Sequence, residues 1–229
     1  MTQYTFDSAI NTRMSTRAFS TQAVPDDCIA AILRDASQLA AELDAYPWRV
    51  HVLRGDDRAA LTHKVCDAHD AARADPALLE REGYDYYPRK WDGPYLERRR
   101  ENGWGLYGLL GIGRADKDKM HAQHHRNFLF FDAPIGLVFT IDRAWVGSDM
   151  LNYGRFLQGI MVAARMRGLH TCPQAAWNTF GRIILRHVGA GPDAMLVCGM
   201  ALGYAEPDAV VNTFRTPRLA VPEFTTWLD

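Results

Sequence analysis

Residues 149 to 167 carry Leu151, Phe156, Leu157, Ile160, Met161 and Val162, and on a helix these point in nearly all directions. A helix that is apolar all round is buried, so this segment predicts the centre of the fold. Gly154, Gly159, Ala163 and Ala164 strip bulk from it and admit close approach by a neighbouring helix, which in a chain this small can belong to a second subunit. The helix must stop at Gly168, because glycine accepts the left-handed conformation that closes a helix end. Leu169-His170-Thr171-Cys172-Pro173-Gln174-Ala175-Ala176-Trp177 comes next. Pro173 fixes one torsion and donates no hydrogen bond, and the two alanines have almost no side chain. Such a segment either closes a helix in a tight loop or brings bare backbone N–H groups up to a flat ligand.

Other elements can be read around that centre. Pro25-Asp26-Asp27 opens a helix, with Asp26 or Asp27 as cap and Ile29, Ile32, Leu33, Ala36 and Leu39 as its apolar stripe. Trp48 to Leu53 alternates and predicts a strand, followed by a helix from about Ala59 to Ala74. Phe128 to Asp142, with Pro134 near its start, and Ala194 to Tyr204 predict buried strands. Residues 75 to 126 form an aromatic-rich insertion with Tyr84, Tyr86, Tyr87, Trp91, Tyr95, Trp104 and Tyr107, which either cover a core edge or line a substrate pocket. Leu106, Leu109, Leu110 and Ile112 suggest a short helix within it. Residues 206 to 229 are an extended tail whose Phe214, Leu219, Val221, Phe224 and Trp227 cannot build a core and must lie on another surface, the chain's own or a partner's. No repeat or linker divides the chain. The expectation is one domain over residues 1–229, of α+β or α/β class, with helices flanking a central sheet.

Composition excludes several function classes. A net charge of −1 announces neither a nucleic-acid nor an anionic-membrane partner. No long charge-free apolar run predicts a membrane span, and Met1 to Asp7 is not a basic-then-apolar leader. Cys28, Cys66, Cys172 and Cys198 fit neither a zinc motif nor a disulfide framework, which suits a reduced, cytoplasmic protein. His121, His124 and His125 have the look of a metal cluster, but no carboxylate or cysteine joins them at ligand spacing; they are read as solvating a helix, and no metal is expected. His51 and His63 are read as surface or hydrogen-bonded residues. Glu97 and Glu101 flank Arg98-Arg99-Arg100, so that run reads as a solvated helix face. Glycine-rich nucleotide loops and a G-x-S-x-G elbow are missing. Cys172 reads as a small buried residue rather than a nucleophile.

Arg13-Met14-Ser15-Thr16-Arg17 sets two guanidinium groups four residues apart, sharing one face at helical spacing, with hydroxyls between. Arginine forks match phosphate oxygens and a hydroxyl adds a donor, so the segment is a candidate cradle for a phosphate or a ribityl chain. Arg215 and Arg218 in the tail are placed to add charge to the same anion.

In their order along the chain, these residues resemble the nitroreductase family. The likeness runs through Arg13-Met14-Ser15-Thr16-Arg17-Ala18-Phe19, Val24-Pro25, Tyr46-Pro47-Trp48, Phe130-Phe131-Asp132-Ala133-Pro134, Phe156-Leu157-Gln158, Thr171 to Trp177, Leu202-Gly203-Tyr204 and Asn212 to Arg218. Gly103 to Ile112 is most similar to the nitrobenzoate-reductase branch. The resemblance implies an α+β, three-layer fold with a central mixed sheet flanked by helices. It also implies an intertwined homodimer whose C-terminal tail docks on the partner. It implies FMN as cofactor and NAD(P)H as co-substrate. Arg13, Met14, Ser15 and Arg17 then match positions at the FMN phosphate, ribityl chain and pyrimidine edge, with Gln158 also at the cofactor. Pro173, Gln174, Ala175 and Ala176 match the loop over the flavin, with the Ala175 backbone near N5 and no side chain assigned as catalytic. Arg215 and Arg218 match basic residues at the phosphate.

One segment departs from the family. Where it usually has Pro-Ser-x-x-Asn-x-Gln-Pro-Trp, this chain reads Ala40-Ala41-Glu42-Leu43-Asp44-Ala45-Tyr46-Pro47-Trp48. Ala41 and Asp44 thus stand at cofactor-binding positions, and Glu42 and Asp44 either face a ring that gains negative charge or turn outward to water. The implied activity is reduction of nitroaromatic or similar electron-poor acceptors through flavin N5 in ping-pong fashion. The alternatives are a flavin-site relative with lost or altered activity, acting as a binding protein, or a reductase of quinones or halogenated phenols.

Overall fold

A computed structural model of the chain describes residues 4–40, 46–79, 86–88 and 90–228. Trp48–Leu53 (β1), Ile135–Asp142 (β2), His170–Gln174 (β3) and Ala194–Gly203 (β4) form a sheet in the order β1-β2-β4-β3. All three pairings are antiparallel. The parallel component of the expected mixed sheet is confined, among the described residues, to a single bridge between Ser15 and Thr171. The two central strands are buried almost throughout. A register shift at Phe139/Thr140 lets Val197 and Cys198 both serve one face, and that changes which parity of β4 points to each layer.

Helices Asp26–Ala40 (α2) and Val146–Met166 (α6) cover one side of the sheet, packed on Ile135, Leu137, Phe139 and Ile141. The opposite side, around Val138, Leu196 and Ala201, is covered by Gly55–Ala74 (α3), Gly181–His187 (α7) and the aromatics Phe128, Phe130, Trp177 and Phe180. These layers match the expected three-layer α+β fold. The remaining helices are Phe6–Thr12 (α1), Gly93–Leu109 (α4) and Lys117–His125 (α5). Among the described residues, no helix is long and apolar enough to cross a membrane.

At Gly159 the neighbour admitted by the small residues of α6 is in the same chain. A Cβ on Gly159 would lie 3.0 Å from the Ala36 Cα, so α2 and α6 meet backbone to backbone there. Burial of α6 is also less complete than its sequence suggests: Leu151 is 81% exposed, because sheet and α2 cover only one side. Leu39 likewise drops out of the buried stripe of α2 at 54% exposed, and Cys28 and Ala40 complete it. Gly168 ends α6 as expected, with φ +79°, the Gly168 N–H donating to Arg165 and Leu169 to Ala164, both at 3.0 Å.

The segment before β2 differs from the continuous strand expected over 128–142. Arg126–Asp132 is a 3-10 turn in which Phe130, Phe131 and Asp132 have positive φ. Left-handed backbone at two phenylalanines is strained. The Phe130 ring compensates by stacking on Trp177 at 4.4 Å and lying directly on Gly136. The four cysteines are free and buried, and burial pushes Cys172 up to about 11 and Cys198 up to about 12, which keeps both thiols protonated and inert.

Candidate functional site

The Arg13–Arg17 segment is extended rather than helical. α1 stops at Thr12, and Arg13 already has φ −63° and ψ 130°. Strand β3 then captures the chain: Ser15 bridges Thr171, and the Thr16 N–H donates to the Thr171 carbonyl at 3.0 Å. Alternation with period two now explains the shared face. Arg13, Ser15 and Arg17 stand half-buried along one edge while the intervening Thr16 is fully buried. Met14 is half-buried between them.

The tail completes this edge. Asn212, buried, accepts from the N–H groups of Arg17 (2.9 Å) and Ala18 (3.2 Å) through Oδ1. Its Nδ2 donates to the carbonyls of Ala18 (2.8 Å) and Glu206 (3.1 Å). Arg215 and Arg218 fold back on local carbonyls, Arg215 on Asn212 at 2.7 Å and Arg218 on Thr216 at 3.0 Å. Burial and then the Arg218 charge hold the Arg13 guanidinium below its ordinary value. Among the described residues, none of Arg13, Arg17, Arg215 and Arg218 has a carboxylate partner. Positive groups from both ends of the chain therefore gather, and among the described residues no carboxylate pairs with them.

Residues 170–174 form an edge strand, not a loop. Pro173 sits exposed in it, opposite Met200, where its missing N–H does not break a central ladder. Ala175 and Ala176, half-buried, are the first residues of the 3-10 turn Ala175–Phe180, so their N–H groups have no acceptor within the turn. Gln174 points inward: its Nε2 donates to Asn127 O at 2.6 Å and its buried Oε1 has no partner. This side chain ties the start of the turn to the Asn127 carbonyl. Gln158 is exposed on α6, one turn before Met161, whose sulfur lies 4.0 Å from Arg13 Nη1. Ala41, Glu42 and Asp44 lie outside the described residues, as does Tyr84.

Neither His170 nor Asn212 has a structural role legible in the local pattern around it. His170 Nδ1 lies 3.3 Å from Thr16 Oγ1, and burial, with Arg165 and Arg215 nearby, pushes this histidine down to about 4. Only tertiary contact reveals either role.

The nitroreductase family model matches residues 10–204, which runs from α1 through β4. The chain belongs to the nitroreductase family. Among its relatives in that family, the chloronitrobenzene nitroreductase of Comamonas testosteroni is 36% identical over 97% of this chain and 96% of its own. The 4-nitrobenzoate reductase of Pseudomonas putida is 35% identical, covering 97% of this chain and 95% of its own. The crystal structure of the FMN- and NADPH-dependent nitroreductase NfnB of Sphigopyxis sp. strain HMH superimposes with a TM-score of 0.91 at 31% identity, over 99% of this chain and all of that one. The nitroreductase fold is thus shared over nearly the whole length.

Proposed function

We propose that this chain is an FMN-dependent reductase of nitroaromatic or similar electron-poor acceptors, driven by NAD(P)H and working as a cytoplasmic homodimer of single-domain subunits. The observation that carries this reading is the group of four arginines that have no carboxylate partner among the described residues, beside a hydroxyl and the Ala175–Ala176 turn. That donor set fits a phosphate monoester on a flat ring system: Arg13, Arg17, Arg215 and Arg218 would hold the phosphate, and Ser15 the polyol chain. Gln158 and Met14 would border the ring. When bound, FMN supplies the redox chemistry, passing hydride from the reduced nicotinamide to the acceptor.

The chain's own residues supply the environment. The Ala175 N–H would donate to the ring nitrogen that gains negative character on reduction, and the gathered guanidinium charge favours that reduced, more anionic form. Gln174, anchored to Asn127 O, holds the turn that presents this donor. Helix α4 contains no buried residue, although it carries Tyr95, Trp104 and Tyr107. Tyr95 is exposed and Trp104 and Tyr107 are half-buried, which supports a substrate-facing role over the core-covering one. The buried free thiols suit a reducing compartment. The reading is tested by purifying the chain and recording its visible spectrum before and after adding NADPH. Bound flavin that bleaches on mixing, and is recovered by a nitrobenzoate, is the expected result; Arg13→Ala should weaken FMN retention. A colourless protein that stays colourless with added FMN overturns it.

A further inference from the structure

The carboxylate missing from the local spacing of the α5 histidines comes from α3. His121 Nε2 lies 2.8 Å from Asp70 Oδ1, His125 Nδ1 at 3.2 Å, and His69 Nδ1 at 3.5 Å. One potential ligand atom from each of the four residues falls within 4.8 Å of all the others. The edge of a tetrahedron with metal–ligand bonds of about 2.0–2.1 Å is about 3.3 Å, and the three distances to Asp70 bracket it. His121 and His125 are one turn apart on α5, the i, i+4 spacing that puts two imidazoles on one face.

Two further features separate this group from an ordinary hydrogen-bonded surface cluster. His69 is only 11% exposed, and its Nδ1 is buried with no hydrogen-bond partner. Its other nitrogen, Nε2, lies 3.1 Å from His124 Nδ1. The tautomer that donates Nε2–H to His124 leaves an Nδ1 lone pair facing a carboxylate oxygen. Those two groups repel each other, and a cation between them attracts both. A ligating histidine whose second nitrogen is held by an outer partner is the usual arrangement at metal sites, and His124 is placed to be that partner.

We infer that His69, Asp70, His121 and His125 form a binding site for a borderline divalent transition-metal ion of the Zn2+ type, clipping α3 to α5. Three imidazoles and one carboxylate favour such an ion over Mg2+ or Ca2+, which take oxygen ligands. The site is independent of the flavin reading. It reaches the core through His69, which packs on Phe128 at 4.9 Å, and Phe128 meets Trp177 edge-on at 5.5 Å, within the Ala175–Phe180 turn. Its occupancy would therefore brace that turn.

The test is calorimetric titration of the purified full chain with Zn2+, repeated with Co2+ followed by visible absorption. Saturable binding of one Zn2+ per chain is expected, with the intense absorption of four-coordinate Co2+. His121→Ala and His125→Ala, both partly exposed and replaceable without opening the core, should each weaken binding by at least about tenfold. His63→Ala, which breaks the exposed His63–Asp67 pair at 3.3 Å on α3, should leave it unchanged. Excess Zn2+ should raise Tm in the parent and in His63→Ala but not in the other two variants. No saturable binding, equal affinity in His121→Ala and His125→Ala, loss of binding in His63→Ala, or a six-coordinate Co2+ spectrum each overturns the assignment.

Discussion

One amide group, that of Asn212, makes four hydrogen bonds to backbone atoms of Arg17, Ala18 and Glu206. Asn212→Ala strands the N–H groups of Arg17 and Ala18, while the Ala18 and Glu206 carbonyls keep backbone donors from Glu206 and Ala209. A loss of about 2–4 kcal/mol is expected in urea unfolding, together with weaker FMN retention. Asn212→Asp turns a two-hydrogen donor into an acceptor facing two carbonyl oxygens, so it should be no milder. At His170, the fold holds the neutral ring: the value falls from 6.5 to about 4. Such a group adds stability that is fully present above 6.5 and is lost as the pH falls toward 4, where the unfolded chain binds the proton first. The loss should be about 2 kcal/mol once the part of the ring that still meets water is discounted. Urea midpoints measured across that window should fall with pH, and His170→Asn should reduce the slope. These two side chains were opaque in the sequence, since their partners lie far away in the chain. Arg13, Ser15 and Arg17 were legible, although a two-residue period and not a helical one brings them together.

At the scale of elements, the turn at Phe130–Asp132 depends on a glycine in the next strand. A Cβ at Gly136 would lie 2.5 Å from the Phe130 ring. Gly136→Ala therefore has to displace a ring stacked on Trp177. A cost of about 1–3 kcal/mol is expected, read as a lowered denaturation midpoint with reduced Trp near-ultraviolet ellipticity. Periodicity revealed α2, α3, α6 and β4 because each buries one regular face or nearly all of its residues, and it revealed β1 although only Leu53 of that strand is buried. It missed β3, whose His170, Pro173 and Gln174 interrupt any apolar alternation; that strand exists because β4 offers it a ladder. It also ran the β2 strand too far upstream, since three consecutive left-handed residues leave no mark in an apolar pattern. Asp70 stayed hidden from the α5 histidines because 51 residues separate it from His121.

At the scale of the molecule, the tail divides into two parts. Phe214 packs on Gly105 of α4, where a Cβ would lie 3.0 Å from its ring. Beyond it, Phe224, Trp227 and Leu228 are 66%, 81% and 91% exposed, and Leu151 of α6 is 81% exposed. Such surface suits a subunit contact. Light scattering is expected to give twice the 25.8 kDa chain mass, and Leu151→Glu with Trp227→Glu should shift it toward one; a monomeric parent would refute the homodimer. Arg17 and Asn212 are joined across 195 positions of chain. During translation Asn212 is therefore added 195 residues after Arg17, whose backbone it fixes. Until that stretch has been made, the N–H groups of Arg17 and Ala18 lack the side-chain oxygen that accepts from them in the finished fold.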